Sequence, residues 1–112
     1  MKSKFLVLKV LNIVRKVPIS RIAYFEAHGK ETYTVINLQE IYLDKVPLKV
    51  YEEKLKNDGF YRISRQQLIN IQHVREIIFG ITTTLIMDTG DRFTVSQRKV
   101  SKIVKAFQET GM

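Results

Sequence analysis

Residues 60–71 read FYRISRQQLINI. Phe60–Ile63 is β-type, with aromatic and branched side chains. The stretch then breaks into the polar cluster Ser64-Arg65-Gln66-Gln67, and Leu68-Ile69-Asn70-Ile71 returns to the core. A chain that leaves an apolar interior, exposes four polar residues and goes straight back is a strand ending in a presented loop. No acid lies within ten residues of Arg65 except Asp58. A guanidinium with no carboxylate neighbour is available to an external partner, and its fork fits guanine O6 and N7 as well as phosphate.

Working outward, the flanks are also strand-like. Residues 4–17 alternate loosely between apolar and polar and predict one or two strands broken by Pro18, and Ile19–Phe25 predicts another. His28-Gly29-Lys30 reads as a turn, followed by strands over 31–38 and 40–46. The period then changes. Leu48, Tyr51 and Leu55 fall three and four apart, with Pro47 at a first helical position and Gly59 past the end, predicting a helix over 48–57. Beyond residue 71, strands are expected over 74–79, 82–87 and 92–95, with Thr89-Gly90-Asp91 as the last hairpin turn. Val100, Ile103, Val104 and Phe107 form one apolar helical stripe with Ser96 as its N-cap. The expectation is one domain over residues 1–112, mainly β, with two short helices.

The chain has 112 residues, 45% of them hydrophobic, enough for one real core without a staple. It contains no cysteine, so disulfide frameworks and cysteine-ligated zinc fingers are excluded. That composition fits a reducing compartment, and a cytoplasmic location is expected. Apolar runs are too short to span a bilayer, so no membrane insertion is expected. The start lacks both the long apolar stretch and the small-residue cleavage site of a signal peptide.

Net charge is +8. Residues 1–25 hold six basic residues and no acid, and residues 92–108 hold five basic residues and no acid. Residues 60–75 hold three arginines and no acid, whereas residues 26–58 hold seven acids against five lysines. Charge sorted in this way points to a polyanionic partner; the bland reading is a solvated face. Catalytic patterns are absent. No cysteine nucleophile and no glycine-rich phosphate loop exist, His28 and His73 lie far apart, and Glu52-Glu53 sits on the outer face of a helix. No enzyme activity, metal or cofactor is expected. A helix-turn-helix fits poorly, because some forty residues of strand pattern separate the helices.

Phe60, Tyr61, Arg62, Arg65, Leu68, Ile69 and Asn70 match a signature of the LytTR family, the LytR/AlgR-type DNA-binding domain of bacterial transcription regulators. Ser64 and Gln66 depart from it, standing where histidine and serine are more frequent. Ile22–Ala27, the helix at Leu48–Gly59 and Val95-Ser96-Gln97-Arg98 resemble further family motifs in order, so the resemblance covers about residues 4–108. It implies an elongated stack of small antiparallel sheets that presents loops to the major groove of double-stranded DNA. By position these loops are the turn with His28, Lys30 and Thr32; Ser64-Arg65-Gln66-Gln67; and Ser96-Gln97-Arg98-Lys99. The resemblance further implies paired direct repeats bound by two copies, and an upstream receiver domain or a regulatory partner.

Each residue has a competing structural reading. Arg65 and Arg98 are assigned to DNA, with Gln66, Gln67 and Lys99 beside them. Arg62 is either structural or a phosphate ligand. Asn70 reads as a buried turn-former. Lys102 and Lys105 lie off the apolar stripe and are solvated or touch phosphate, and His28 is exposed or touches DNA. The competing function is a small basic RNA-binding domain, which would want exposed aromatics on a sheet; the tyrosines sit in strand or helix patterns without the Gly-rich aromatic motif of an RRM. A membrane-surface module is disfavoured by a last helix with no tryptophan and one aromatic.

Overall fold

The computed structural model describes residues 4–111. Ten strands, Phe5–Val10 (β1), Ile13–Pro18 (β2), Tyr24–His28 (β3), Glu31–Asn37 (β4), Glu40–Asp44 (β5), Phe60–Arg62 (β6), Gln67–Asn70 (β7), Val74–Ile78 (β8), Thr83–Met87 (β9) and Arg92–Val95 (β10), combine with helices Leu48–Lys54 (α1) and Val100–Glu109 (α2). The strands form three antiparallel sheets, β1-β2, β5-β4-β3-β7-β6 and β10-β9-β8. This is the mainly β domain with two short helices that the residue pattern predicts, built as the stack of small antiparallel sheets that the resemblance implies and extended over 44 × 36 × 26 Å.

Alternation along β3 and β7 explains the layering, because successive side chains of a strand leave on opposite faces. Tyr24 pairs with Ile69, and both enter one core with Val35, Leu85, Met87, Val95 and Ile103. Phe25 pairs with Leu68, and both enter a second core with Leu6, Leu8, Leu48, Tyr51 and Phe60. The five-stranded sheet is therefore buried on both faces. The β8–β10 sheet and α2 cover one face; the β1-β2 hairpin and α1 cover the other. The Phe25 ring stacks on Tyr51 with centroids 4.5 Å apart, at the centre of the second core.

Local departures from the sequence reading have simple causes. Ile19–Arg21 is a 3-10 turn, and β3 begins only at Tyr24. Ile22 and Ala23 are fully buried, and Ala23 still donates to Val35 O at 2.8 Å, so their apolar character reads as strand. β2 runs through Pro18, which is tolerated at the end of a strand with one open edge. α1 stops at Lys54, and Pro47 caps it as the residue before the first helical turn. Ser96 does not cap α2; it precedes a 3-10 turn over Gln97–Lys99, and α2 starts at Val100. Gly90, at φ +95, closes the β9-β10 turn in a conformation that other residues adopt only with strain.

Two tyrosines anchor acids at the ends of this sandwich. The Tyr24 hydroxyl donates to Asp91 Oδ2 at 2.9 Å, and the Tyr51 hydroxyl donates to Asp44. Burial raises both phenols above their ordinary value of 10.0, and the accepting carboxylates raise them further. A folded-state value above the unfolded one means that the stabilisation is complete below pH 10 and is lost as pH rises beyond it. Thermal melting should therefore fall above that pH. Tyr24→Phe/Tyr51→Phe should start lower by roughly 1–3 kcal/mol per hydrogen bond but decline less steeply in alkali. Parallel alkaline slopes for the two proteins would contradict this account.

Candidate nucleic-acid interface

The loop after β6 is held from within. The Ser64 hydroxyl accepts from the Gln66 and Gln67 amides at 3.1 Å each and donates to the Gln67 side-chain oxygen. Gln67 Nε2 in turn donates to Glu26 Oε2 at 2.7 Å. Beneath the loop, Arg62 engages each of its three guanidinium nitrogens. Nε donates to Ser64 O at 2.9 Å, Nη2 to Arg65 O at 2.7 Å and Nη1 to Glu52 Oε1 at 2.7 Å. Of its two readings, the structural one is realised. With its carbonyl gripped by Arg62, Arg65 sends its side chain into solvent.

Backbone bonds tie this loop to the other two. Ala27 N donates to Gln66 O at 2.8 Å, joining it to the end of β3, where the tight β3-β4 turn pairs His28 with Glu31 and places Gly29 at φ +62. Ser96 N donates to Ile63 O at 2.8 Å, joining it to the turn before α2. Three loops distant in sequence thus share one framework at one end of the molecule.

Arg65, Arg98 and Lys99 line one cleft of about 350 Å³ with Ser64, Ser96 and the Arg62–Glu52 ion pair. Arg98 and Lys99 also line a second, of about 340 Å³, with Tyr61 and Lys102. The Lys102 ammonium stands 5.8 Å from the Tyr61 ring centroid. Among the described residues, the ion pairs use Arg62, Lys4, Arg21, Lys56, Arg75 and the histidines; the cations they leave without a carboxylate include Lys30, Arg65, Arg98, Lys99 and Lys102 at this end. Five unneutralised cations on a shared framework make a strong positive field at this end.

Other expected contacts fare differently. Thr32 is 1% exposed and its hydroxyl donates to Val46 O at 2.6 Å, so it is corrected from contact residue to core residue. The strand period explains the error: Thr32 is the second residue of β4 and points inward. Gln67 has both ends of its amide engaged and serves to hold the loop. Gln66 and Lys30 are exposed, and exposed His28 has Nε2 3.2 Å from Glu26 Oε1. Asn70 is buried, accepting from Gln72 N at 3.0 Å and donating to Ile22 O at 2.9 Å, as a turn-former should. Sequence reasoning missed Lys45 and Lys49, which share a cleft with Lys30. Both lie in the acid-rich middle of the chain, where a charge count by segment averages them away. It also missed Glu26 and Glu52 as loop holders; nothing in a ten-residue separation links Glu52 to Arg62. No group of His, Cys, Asp and Glu among the described residues is arranged to hold a metal ion.

The model of the LytTr DNA-binding domain family matches residues 13–108. Among solved structures, the LytTr DNA-binding domain of a putative methyl-accepting/DNA response regulator from Bacillus cereus superposes with a TM-score of 0.75 at 32% identity, covering 95% of this chain and 97% of that one. The sensory transduction protein LytR of Staphylococcus haemolyticus is 34% identical over 82 residues, 70% of this chain. The sensory transduction protein LytT of Bacillus cereus is 34% identical over 74 residues, 64% of this chain. The chain spans 30% of the length of each of these two relatives.

Arg62→Ala should leave two loop carbonyls and Glu52 without their donor. A loss of about 1–3 kcal/mol is expected in urea unfolding, together with faster amide hydrogen exchange at Gln66 and Gln67. Arg62→Lys should not restore the loop, because one ammonium cannot reproduce a planar fork. Unchanged exchange at Gln66 in the alanine variant would remove Arg62 from this role.

Proposed function

The chain belongs to the LytTr DNA-binding domain family, and on that premise we propose that residues 1–112 act as one sequence-specific, double-stranded DNA-binding domain in transcription regulation, reading the major groove through loops. The observation that carries this reading is the convergence of unpaired Arg65, Arg98 and Lys99 on one cleft, on loops locked by backbone bonds. Preorganised guanidinium groups lose little freedom on binding and suit bidentate contact with guanine.

Arg65 and Arg98 read base edges, with Gln66 beside Arg65. Lys99, Lys102 and Lys30 touch phosphates, joined by Lys45 and Lys49. His28, on the turn nearest Lys30, completes the row. Two basic residues at the turn before α2 are locally unfavourable, since the positive end of the helix dipole lies there; a phosphate held at the same place offsets that cost. The domain performs no catalysis and needs no cofactor. No helix among the described residues is long and apolar enough to cross a membrane, and the setting is bacterial and cytoplasmic, where a receiver domain or regulatory partner passes on the signal.

Two measurements test the reading. Neutralising about five phosphates should give a slope of log K against log[salt] near −4 to −5. In site selection, Arg65→Ala and Arg98→Ala should each flatten a different base position at a cost of about 1–3 kcal/mol. Lys102→Ala should keep the motif, bind all sequences more weakly and lower the slope by about one unit. A motif untouched by Arg65→Ala, or equal affinity for random DNA and single-stranded RNA, would defeat the assignment.

One small domain makes few base contacts, so tight specificity calls for two copies on paired direct repeats. Inserting about five base pairs, half a helical turn, between the half-sites should weaken the paired complex, and a full-turn insertion should restore it. Affinity indifferent to both insertions would mean independent single sites.

A further inference from the structure

Among the acids at the loop-bearing end, Glu52 is taken up by Arg62, and another has no binding role in the reading above. Glu26 lies on β3 opposite Gln67, two residues before the His28 turn. It lines an open cleft of about 550 Å³ between the second and third loops, with Ser64, Gln66, Gln67, Arg92, Thr94 and Ser96. Its side chain remains 26% exposed. A carboxylate here repels every phosphate and every guanine O6 or N7 that approaches, so on a surface built only for affinity it is a cost.

Its hydrogen bonds do not exhaust it. Oε2 accepts from Gln67 Nε2 at 2.7 Å, and Oε1 lies 3.2 Å from His28 Nε2. An ionised carboxylate offers about four lone-pair sites, so acceptor capacity is left on the exposed side. The two contacts clamp the group at a set angle, and the backbone bond from Ala27 to Gln66 O fixes the strand that carries it. The clamped group is thus an acceptor, rigid and open to a cleft on the surface that faces DNA.

Resting on the DNA-binding reading above, we propose that Glu26 is a specificity-determining residue that accepts a hydrogen bond from an exocyclic base amino group, that of cytosine N4, in the major groove. Carboxylates pair with cytosine N4 because cytosine presents a donor there, whereas guanine presents only acceptors. Adenine N6 is also a donor, but it lies beside the N7 acceptor, which a carboxylate repels, so the residue favours cytosine and complements Arg65 and Arg98, which favour guanine. Gln67 and Ser64 then act as its orienting partners.

Glu26→Gln tests this directly. The amide keeps an oxygen that can accept from Gln67 but loses the charge and gains a donor. Site selection should show cytosine preferred at one position by the wild type. In Glu26→Gln that position should admit adenine or lose preference, with discrimination falling about tenfold there while affinity for non-cognate DNA rises several-fold. Gln67→Ala removes the orienting donor but leaves the carboxylate, and should retain a weakened preference for cytosine at that position. Melting curves for both variants, read beside binding, separate a folding defect from a recognition defect. If the wild type selects a motif and Glu26→Gln selects the same one with the same ratio to non-cognate DNA, Glu26 is only a prop for the loop and the proposal fails while DNA reading stands. A uniform loss of affinity with a lowered melting temperature also overturns it. If the wild type selects no motif at all, both readings fall together.

Discussion

The ladder between β3 and β7 pairs Tyr24 with Ile69, Phe25 with Leu68 and Glu26 with Gln67. Its first rung feeds one core, its second feeds the other, and its third lies at the loop-bearing end. A slip of β7 by one residue would turn Leu68 into the core built for Ile69 and break the Glu26–Gln67 contact at the same stroke. Two buried faces therefore specify the register, and the register sets the geometry of the exposed end. Apolar burial, worth about 1.5–3 kcal/mol for each large side chain, is the force that holds polar groups where no apolar contact reaches them.

From that ladder the exposed loops inherit their rigidity. Irregular segments lose backbone order unless their polar groups are satisfied. Here Arg62, Ser64 and Glu26 supply partners from below, and the Ala27 and Ser96 amides stitch neighbouring loops to the second one. The division of labour among similar residues follows from this. Arg62 and Arg65 are three positions apart and chemically identical, yet one is half-buried with all three guanidinium nitrogens engaged and the other is exposed and unpaired. The first orders the loop, and the second is displayed by it.

Charge completes the design. Arg65, Arg98 and Lys99, none of them in an ion pair, converge on one cleft, while Glu52 and Glu26 neutralise or orient from within. Field strength attracts any polyanion over a Debye length of about 10 Å, but it cannot distinguish sequences. Discrimination comes from rigid groups meeting base edges at hydrogen-bond range, and that range depends on the loop framework more than on the count of lysines.

Much of the fold was legible in the sequence. Strand alternation, the change to helical spacing at Leu48-Tyr51-Leu55 and the stripe at Val100-Ile103-Val104-Phe107 follow from local periodicity, which needs no knowledge of what lies across the core. The segregated charge and the lack of acid around Arg65 and Arg98 were legible for the same reason, being properties of short stretches. Thr32 was misplaced because a hydroxyl two residues past a turn looks exposed until the burial of its strand face is known. Glu26 with Gln67, Glu52 with Arg62, and Lys30 with Lys45 and Lys49 could not be read at all. Those contacts join residues up to 41 positions apart, and which distant side chains meet is set by sheet register and layer packing. The sequence by itself determined which segments form strands, helices and basic loops, since these are local consequences of side-chain type. Only the tertiary structure decided which arginine orders the loop and which is displayed, because that depends on where each one finds an acceptor.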